Sequence, residues 1–259
     1  MADLRNYQAR VATAGARADA SIDEGLRAYM IRVYNLMALG LAITGIAALG
    51  TVMLATTNDP SAAVAQLGNG KMLTSLGAAL YGSPLRWVVM LAPLAMVFFL
   101  SFRVEKMSLS AAQTTFWAFA ALMGVSLSSV FLVYTSASIV QTFFITATAF
   151  LALSLFGYTT KRDLTGMGSF LIMGVWGLII ASLVNIFLAS SALQFAISAI
   201  GVLVFAGLTA YDTQKIKEMY YVGDGALVAG RKAIMGALQL YLDFINMFMF
   251  LLQFLGNRE

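Results

Sequence analysis

The stretch Gly236-Ala-Leu-Gln-Leu-Tyr-Leu-Asp243-Phe-Ile-Asn-Met-Phe-Met-Phe-Leu-Leu-Gln253 is an apolar run of membrane length with one ionisable residue near its middle. On a helix its polar residues recur at steps of three and four, so they share one face. The residues on this face are Gly236, Gln239, Asp243, Asn246, Phe250 and Gln253. An aspartate at the centre of a bilayer helix costs roughly 3 kcal/mol, so such residues usually face a bundle interior or a water-filled cavity. Asp243 is therefore the first candidate functional residue.

The composition is that of an integral membrane protein. The chain is 60% hydrophobic and 11% charged, with a mean hydropathy of +0.83. The absence of Cys excludes disulfides and thiolate metal sites. The absence of His removes the commonest metal ligand and the most frequent general base, so any proton chemistry falls to carboxylates. The net charge of +4 is interpreted as the anchoring of loops on anionic lipid rather than as nucleic-acid binding.

Hydropathy predicts an all-α, polytopic bundle of seven transmembrane helices. Residues 1–30 are predicted to form a cytosolic N-terminal arm, and residues 31–259 a single transmembrane domain. The predicted spans are 33–54, 86–102, 111–134, 139–158, 168–188, 193–212 and 233–255. The long connection after the first span is broken by Pro and Gly, and its segments 61–67 and 72–80 are short enough to lie along the membrane surface.

The distribution of basic residues predicts the orientation. Thirteen of the 16 Lys and Arg residues lie in the arm and in the even-numbered turns. The positive-inside rule therefore places the N-terminus in the cytoplasm and the end of a seventh full span outside. A re-entrant last helix, which would return the C-terminus to the cytoplasm, remains an alternative.

Only two acidic residues, Asp212 and Asp243, fall on predicted spans. Two carboxylates in a low-dielectric pocket cannot both ionise cheaply, so they share a proton and titrate as a pair. Such a pair would sense pH without histidine, and once deprotonated it would offer hard oxygen ligands for transient Ca²⁺ binding. For Asp212, the alternative is a solvated residue paired with Lys215 one turn on.

The depths of the two acids leave their contact open. Asp212 ends the sixth predicted span, whereas Asp243 lies well inside the seventh, so contact requires the last helix to start deeper, tilt or re-enter. For Asp243, the alternative is a structural hydrogen bond to Asn185 or Gln239. Asn185, Gln239 and Asn246 are also the candidates for a polar lining.

Four segments carry a family resemblance: Tyr134–Ser138, Leu155–Leu164, Gly207–Gln214 and Leu240–Asn246. They resemble the hallmark segments of the transmembrane Bax inhibitor motif family, bacterial branch, and the similarity extends from about Arg27 to Arg258. The resemblance implies seven helices with the last enclosed by the other six, in a bacterial inner membrane. It also implies a pH-sensitive Ca²⁺ leak, without a cofactor, governed by a di-aspartate latch that matches Asp212 and Asp243. In the family an Arg near the end of the second helix can pair with the first of these acids, and Arg103 is the nearest match.

Two other classes of function remain as alternatives. Tyr211-Asp212 resembles the Tyr-Asp of aspartyl intramembrane proteases, but Asp243 lacks the Gly-x-Gly that should precede the second acid, and the chain is not expected to be an enzyme. The resemblance also implies, for some bacterial members, modulation of a membrane-bound protease. A regulatory membrane protein whose N-terminal arm binds a membrane protease or stress-response partner is therefore the second hypothesis. The sequence leaves the oligomeric state open.

Overall fold

A computed structural model describes the backbone of residues 2–258 and the side chains of residues 24–258. Seven helices in the described chain are long and apolar enough to cross a membrane. They are α1 (Ala2–Ala55), α2 (Leu85–Arg103), α3 (Leu109–Leu127), α4 (Ser136–Thr159), α5 (Thr165–Leu188), α6 (Ser191–Glu218) and α7 (Ala226–Leu255). The predicted all-α, seven-helix fold is confirmed.

The last helix lies at the centre of the bundle, as predicted. In α7, 67% of the most apolar window is buried inside the protein, against 17–39% for the other six helices. It packs against α1, α3, α4 and α6. A helix that is apolar on nearly all sides is stable only when other helices or lipid cover it. Here the other helices cover α7 and leave their own outer faces to the lipid.

Several helices extend beyond the spans that hydropathy predicts. The sixth span was predicted to end at Asp212, but α6 continues to Glu218, and α7 begins at Ala226 rather than near residue 233. The extra turn of α6 is held in place by polar contacts, because Lys217 Nζ donates to the Tyr158 carbonyl at 2.9 Å. Hydropathy ends a span at the first charges, whereas the hydrogen-bonded helix continues into water.

The predicted N-terminal arm continues the first transmembrane helix. The backbone of α1 is helical from Ala2, and its membrane-spanning part is Glu24–Ala55. The side chains of residues 1–23 of the arm, including Arg5, Arg10 and Arg17, lie outside the described residues.

The connection between α1 and α2 contains a small antiparallel sheet. Its strands are β1 (Thr56–Thr57), β2 (Ala65–Gln66) and β3 (Met72–Leu73), in the order β1-β3-β2. Segment 61–67 therefore contains a strand, β2, that pairs with β3, and its position along the membrane surface stays a prediction. Hydrogen bonds from Asn69 to the Leu132 carbonyl at 2.8 Å and from Lys71 to the Phe131 carbonyl at 2.7 Å fasten this sheet to the bundle.

Two glycines allow the outer helices to approach closely. A side chain at Gly124 of α3 would meet the Thr44 carbonyl of α1, and one at Gly157 of α4 would meet the Ala210 carbonyl of α6. Gly124 therefore lies at a close contact between α3 and α1, where a small residue lets the two backbones approach. Close packing of α4 on α6 holds the C-terminal half of α6, which carries Asp212, against the core.

Candidate functional site

The structure brings Asp212 of α6 and Asp243 of α7 together. Their side chains are in hydrogen-bonding contact, and Gln239, one turn before Asp243, also contacts Asp212. Each aspartate is only 5% exposed. Lys215, on the same helix as Asp212, is close enough to act electrostatically on its carboxyl group. The contact that the sequence left open is therefore present.

The register between α6 and α7 explains this contact. Gly236 of α7 lies against Ile216 of α6, and a Cβ atom at this glycine would come 2.9 Å from that side chain. Lys232 Nζ of α7 pairs with Asp224 of the connecting loop at 2.6 Å and donates to the Met219 carbonyl at the end of α6 at 3.0 Å. These contacts hold the two helices so that Gln239 and Asp243 flank Asp212.

The start of α7 extends further toward the N-terminal side of the membrane than the predicted span. Its first turns pack against the turn between α2 and α3, where Arg231 Nε donates to the Met107 carbonyl at 2.9 Å and Gly230 lies against Leu109. Because α7 is displaced this far toward that side, Asp243 reaches the level of Asp212 while α7 stays one continuous helix.

The chemistry of the pair follows from its burial. An ionised carboxylate only accepts hydrogen bonds, so two carboxyl groups in contact must share a proton or repel each other. In addition, Oδ2 of Asp243 is buried and has no hydrogen-bond partner in the described part of the chain. A proton shared with the Asp212 carboxyl group would satisfy this oxygen atom.

The pair suits a passing cation better than a resident one. A Ca²⁺ ion takes six to eight oxygen ligands. Among residues 24–258, no group of three or more His, Cys, Asp or Glu side chains could hold a metal ion. Asp212, Asp243 and Gln239 together offer only part of such a shell, which fits weak, transient binding.

The other predicted site residues lie apart from the pair. Asn246 donates to the Leu242 carbonyl of its own helix at 2.8 Å. Asn185 lies at the opposite end of the bundle, where it donates to Gln194 at 3.1 Å and accepts from the Ser190 backbone at 3.0 Å. The alternative that Asn185 binds Asp243 is therefore wrong, whereas Gln239 joins the pair through Asp212.

The position of Arg103 does not support its pairing with Asp212 in this state. Arg103 ends α2 with an exposed side chain. The groups that act on the Asp212 carboxyl are Asp243, Gln239 and Lys215. A latch that includes Arg103 therefore stays a prediction about another state of the protein.

A second polar cluster lies at the other end of the contact between α6 and α7; the sequence analysis named its members Asn185 and Gln253 but missed Gln194 and Ser198. Gln194 Nε2 donates to Gln253 Oε1 at 2.7 Å, and Ser198 Oγ donates to the same oxygen at 3.3 Å. Gln194 also accepts from Asn185, so the cluster joins three helices. The spacing of Gln194 and Ser198, four residues apart on α6, is the signal that could have matched them to Gln253.

Two aromatic rings separate this amide cluster (Asn185, Gln194, Ser198 and Gln253) from the carboxylate pair. The rings of Phe205 on α6 and Phe250 on α7 are stacked with centroids 5.8 Å apart. Gly201 makes room for Phe250, because a Cβ atom there would come within 2.6 Å of the ring. Along the seam between α6 and α7, the order is thus amides, aromatic rings, carboxylates.

The chain also matches known proteins over almost its whole length. Residues 26–259 match the family model described as "Inhibitor of apoptosis-promoting Bax1". The chain belongs to the Bax inhibitor family. The resemblance carried by the four sequence segments is thereby confirmed. In this Bax inhibitor family protein, the carboxylate pair lies on the two helices that hold the last two of those segments.

Bacterial relatives of this Bax inhibitor family protein are similar from end to end. An uncharacterized protein, RP147, of Rickettsia prowazekii (strain Madrid E) is 50% identical over 241 residues, which cover 92% of this chain and 93% of the relative. An uncharacterized protein of Caulobacter vibrioides is 49% identical over 247 residues, 94% of each chain. Inner membrane protein YbhL of Escherichia coli (strain K12) is 44% identical over 237 residues, covering 91% of this chain and 94% of the relative. The multi-pass membrane character is confirmed, and the name of the third relative supports an inner-membrane location.

Proposed function

We propose that this protein is a pH-sensitive cation leak channel, with Ca²⁺ as the permeant ion, gated by Asp212 and Asp243. The observation that carries the proposal is the contact of these two buried carboxyl groups between adjacent helices. Polar and ionisable groups inside a membrane protein are costly, so they usually mark ion or proton pathways.

The seam between α6 and α7 supplies a route. Its outer end carries the amide cluster, whose oxygen atoms can replace water around a cation. Its inner end carries the carboxylate pair and Gln239. In this state Phe205 and Phe250 close the middle, as expected for an apolar constriction that excludes water and ions.

Deprotonation of the pair supplies the force for opening. With a shared proton, the two carboxyl groups bind each other and hold α7 against α6. Two unit charges about 4 Å apart at an effective dielectric constant of about 20 repel by about 4 kcal/mol. Loss of the proton therefore pushes the helices apart next to the aromatic constriction and exposes carboxylate oxygens to a cation. Arg103 would stabilise the open state if it then paired with Asp212.

Calcium flux into vesicles tests the proposal. The purified protein is reconstituted into vesicles that contain a Ca²⁺-sensitive dye, and influx is measured across a pH series. Asp243→Asn keeps the shape of the side chain but cannot share a carboxyl proton, so we expect the pH dependence to flatten. Asp163→Asn, which changes an exposed carboxylate in the turn between α4 and α5, is the matched control and should keep the wild-type profile.

A wild-type pH profile in Asp243→Asn would contradict gating by the pair. Absence of Ca²⁺ influx in the wild type at every pH would contradict the channel itself. The thermal unfolding of each variant is measured in parallel, so that a misfolded protein is not mistaken for a closed one.

A regulatory role toward a membrane protease is the second candidate. It is favoured by the length of α1, whose helical backbone continues N-terminal to the spanning residues Glu24–Ala55. Deleting residues 2–23 separates the two roles. Loss of protease binding with unchanged Ca²⁺ flux would support the regulatory role, and unchanged binding would contradict a role of the arm.

A further inference from the structure

A membrane-facing groove lies between α1 and α4, on the side of the membrane from which α1 emerges toward the N-terminus. Its volume is about 410 Å³, within the usual range for sites that bind one small molecule. The groove runs inward from Arg27 and Tyr158, at the membrane surface, to Tyr34 and Leu151, about two turns deeper. It is separate from the carboxylate pair.

The side walls of this groove are apolar and uncovered. Ile31 of α1 is 47% exposed, and Leu151 and Leu155 of α4 are 67% and 62% exposed. Side chains of this kind at membrane depth are covered by hydrocarbon. The lining residues extend over about two turns of both helices, a length that suits an acyl chain rather than a compact molecule.

The floor of the groove is polar and well ordered. Ser154, only 2% exposed, bonds to the Tyr34 hydroxyl at 2.6 Å and to the Thr213 hydroxyl at 2.9 Å. Thr213 directly follows Asp212 on α6. A molecule in the groove would therefore touch a hydrogen-bonded chain that leads to the helix of the carboxylate pair.

The mouth of the groove is positively charged. Arg27 is exposed and lines the opening. Lys217 lies behind Tyr158, with its Nζ 5.3 Å from the centre of the ring. Glu24 lies one turn further from the membrane on α1, so the cations stand nearer to the apolar walls than this carboxylate does. The predicted orientation places this mouth in the cytoplasmic leaflet, where anionic lipids concentrate.

We propose that this groove binds one anionic phospholipid. Its phosphate pairs with Arg27, Lys217 adds positive potential, and one acyl chain lies along Ile31, Leu151 and Leu155. A phospholipid fits better than free phosphate because only a lipid covers the apolar walls and neutralises Arg27 at the same time. The proposal concerns binding alone and does not depend on ion flux.

Native mass spectrometry of the full chain in detergent tests it, with phosphatidylglycerol and phosphatidylcholine as the probes. We expect one phosphatidylglycerol to bind in preference to phosphatidylcholine. Each cation near a membrane surface strengthens the binding of anionic lipid about fivefold. Arg27→Gln should therefore weaken phosphatidylglycerol binding by about that factor, and Lys217→Gln by less. Arg32→Gln, an exposed cation on the same helix that does not line the groove, is the matched control and should bind as the wild type does.

A groove-filling variant checks the acyl chain separately. Leu155→Trp should lower the occupancy of both lipids, because the ring takes the space of the chain, and since Leu155 is exposed the fold should tolerate it. Excess inorganic phosphate should not displace the lipid; displacement would point to a simple anion site and overturn the proposal. Equal binding by the Arg27→Gln and Arg32→Gln variants, or equal binding of the two lipids to the wild type, would also overturn it.

Discussion

A buried hydrogen bond between Tyr241 and Thr44 is the contact best suited to a quantitative test. The Tyr241 hydroxyl lies 2.6 Å from Thr44 Oγ1, and both residues are buried. Thr44 Oγ1 is also 2.8 Å from the Ala120 carbonyl of α3. Since a carbonyl can only accept, the threonine donates to Ala120, and the tyrosine donates to the threonine. The central helix is thereby tied to α1 and α3.

This direction of donation predicts unequal effects for the two single variants. Thr44→Val leaves the buried tyrosine hydroxyl without an acceptor and should lower the free energy of unfolding by about 1–3 kcal/mol. Tyr241→Phe leaves Thr44 still bonded to the Ala120 carbonyl and should cost about 0.5–1.5 kcal/mol. The double variant has no orphaned hydroxyl, so its cost should fall short of the sum by about 1 kcal/mol.

Unfolding of the four proteins in detergent micelles measures this coupling. Thr51→Val is a suitable control, because the Thr51 hydroxyl donates to the Ala47 carbonyl of its own helix at 2.7 Å, and it should change stability little. Single effects that add to within about 0.3 kcal/mol would refute the coupling. The bond also bears on the candidate site, since Tyr241 and Asp243 lie about 200° apart around α7. Anchoring the tyrosine on α1 and α3 turns the aspartate toward α6.

Three further outcomes are expected. Phe250→Ala removes one ring of the aromatic constriction and should raise Ca²⁺ leak at constant pH severalfold in the vesicle assay, whereas Phe254→Ala, near the end of α7, should not. Gly157→Ala pushes a methyl group into a backbone carbonyl of α6 and should lower the free energy of unfolding by about 1–3 kcal/mol; Gly177→Ala, in open surroundings, should not lower it, and equal losses would contradict the packing. The pKa of Asp163 should lie below its usual value, because the hydroxyl and backbone N–H of the residue two positions on donate to it. These hydrogen bonds at the start of α5 contribute stability above the usual carboxyl pKa and are lost as the pH falls through the lowered value, so an NMR titration that returns an ordinary pKa would contradict them.

The seven spans, the membrane class and the family could be predicted because they depend on local properties of the chain. Each span is a window of apolar residues, and each family segment is a short stretch of consecutive residues. The candidate acids could be found by elimination as well, since only Asp212 and Asp243 fall on spans. The polar face of the last span could also be predicted, because its polar residues recur at steps of three and four. Two residues of this face, Gln239 and Gln253, both contact α6.

The partners of these residues could not be predicted in the same way. Hydropathy ended the sixth span at Asp212 and started the seventh near residue 233, which placed the two acids at different depths. The folded chain continues α6 to Glu218 and starts α7 at Ala226, and its loop contacts then set the register. Gln194 and Ser198 were overlooked because a single polar residue on an apolar helix does not indicate a contact until its hydrogen-bond partner is known.

The sequence by itself determined which segments cross the membrane and which ionisable groups they carry, because the cost of placing a side chain in lipid depends on that side chain alone. Only the tertiary structure decided that Asp212 meets Asp243, that Asn185 joins Gln253 through Gln194, and that Phe250 stacks on Phe205 between them. These pairings depend on the rotation and depth of one helix against another, and many contacts along both helices set them together.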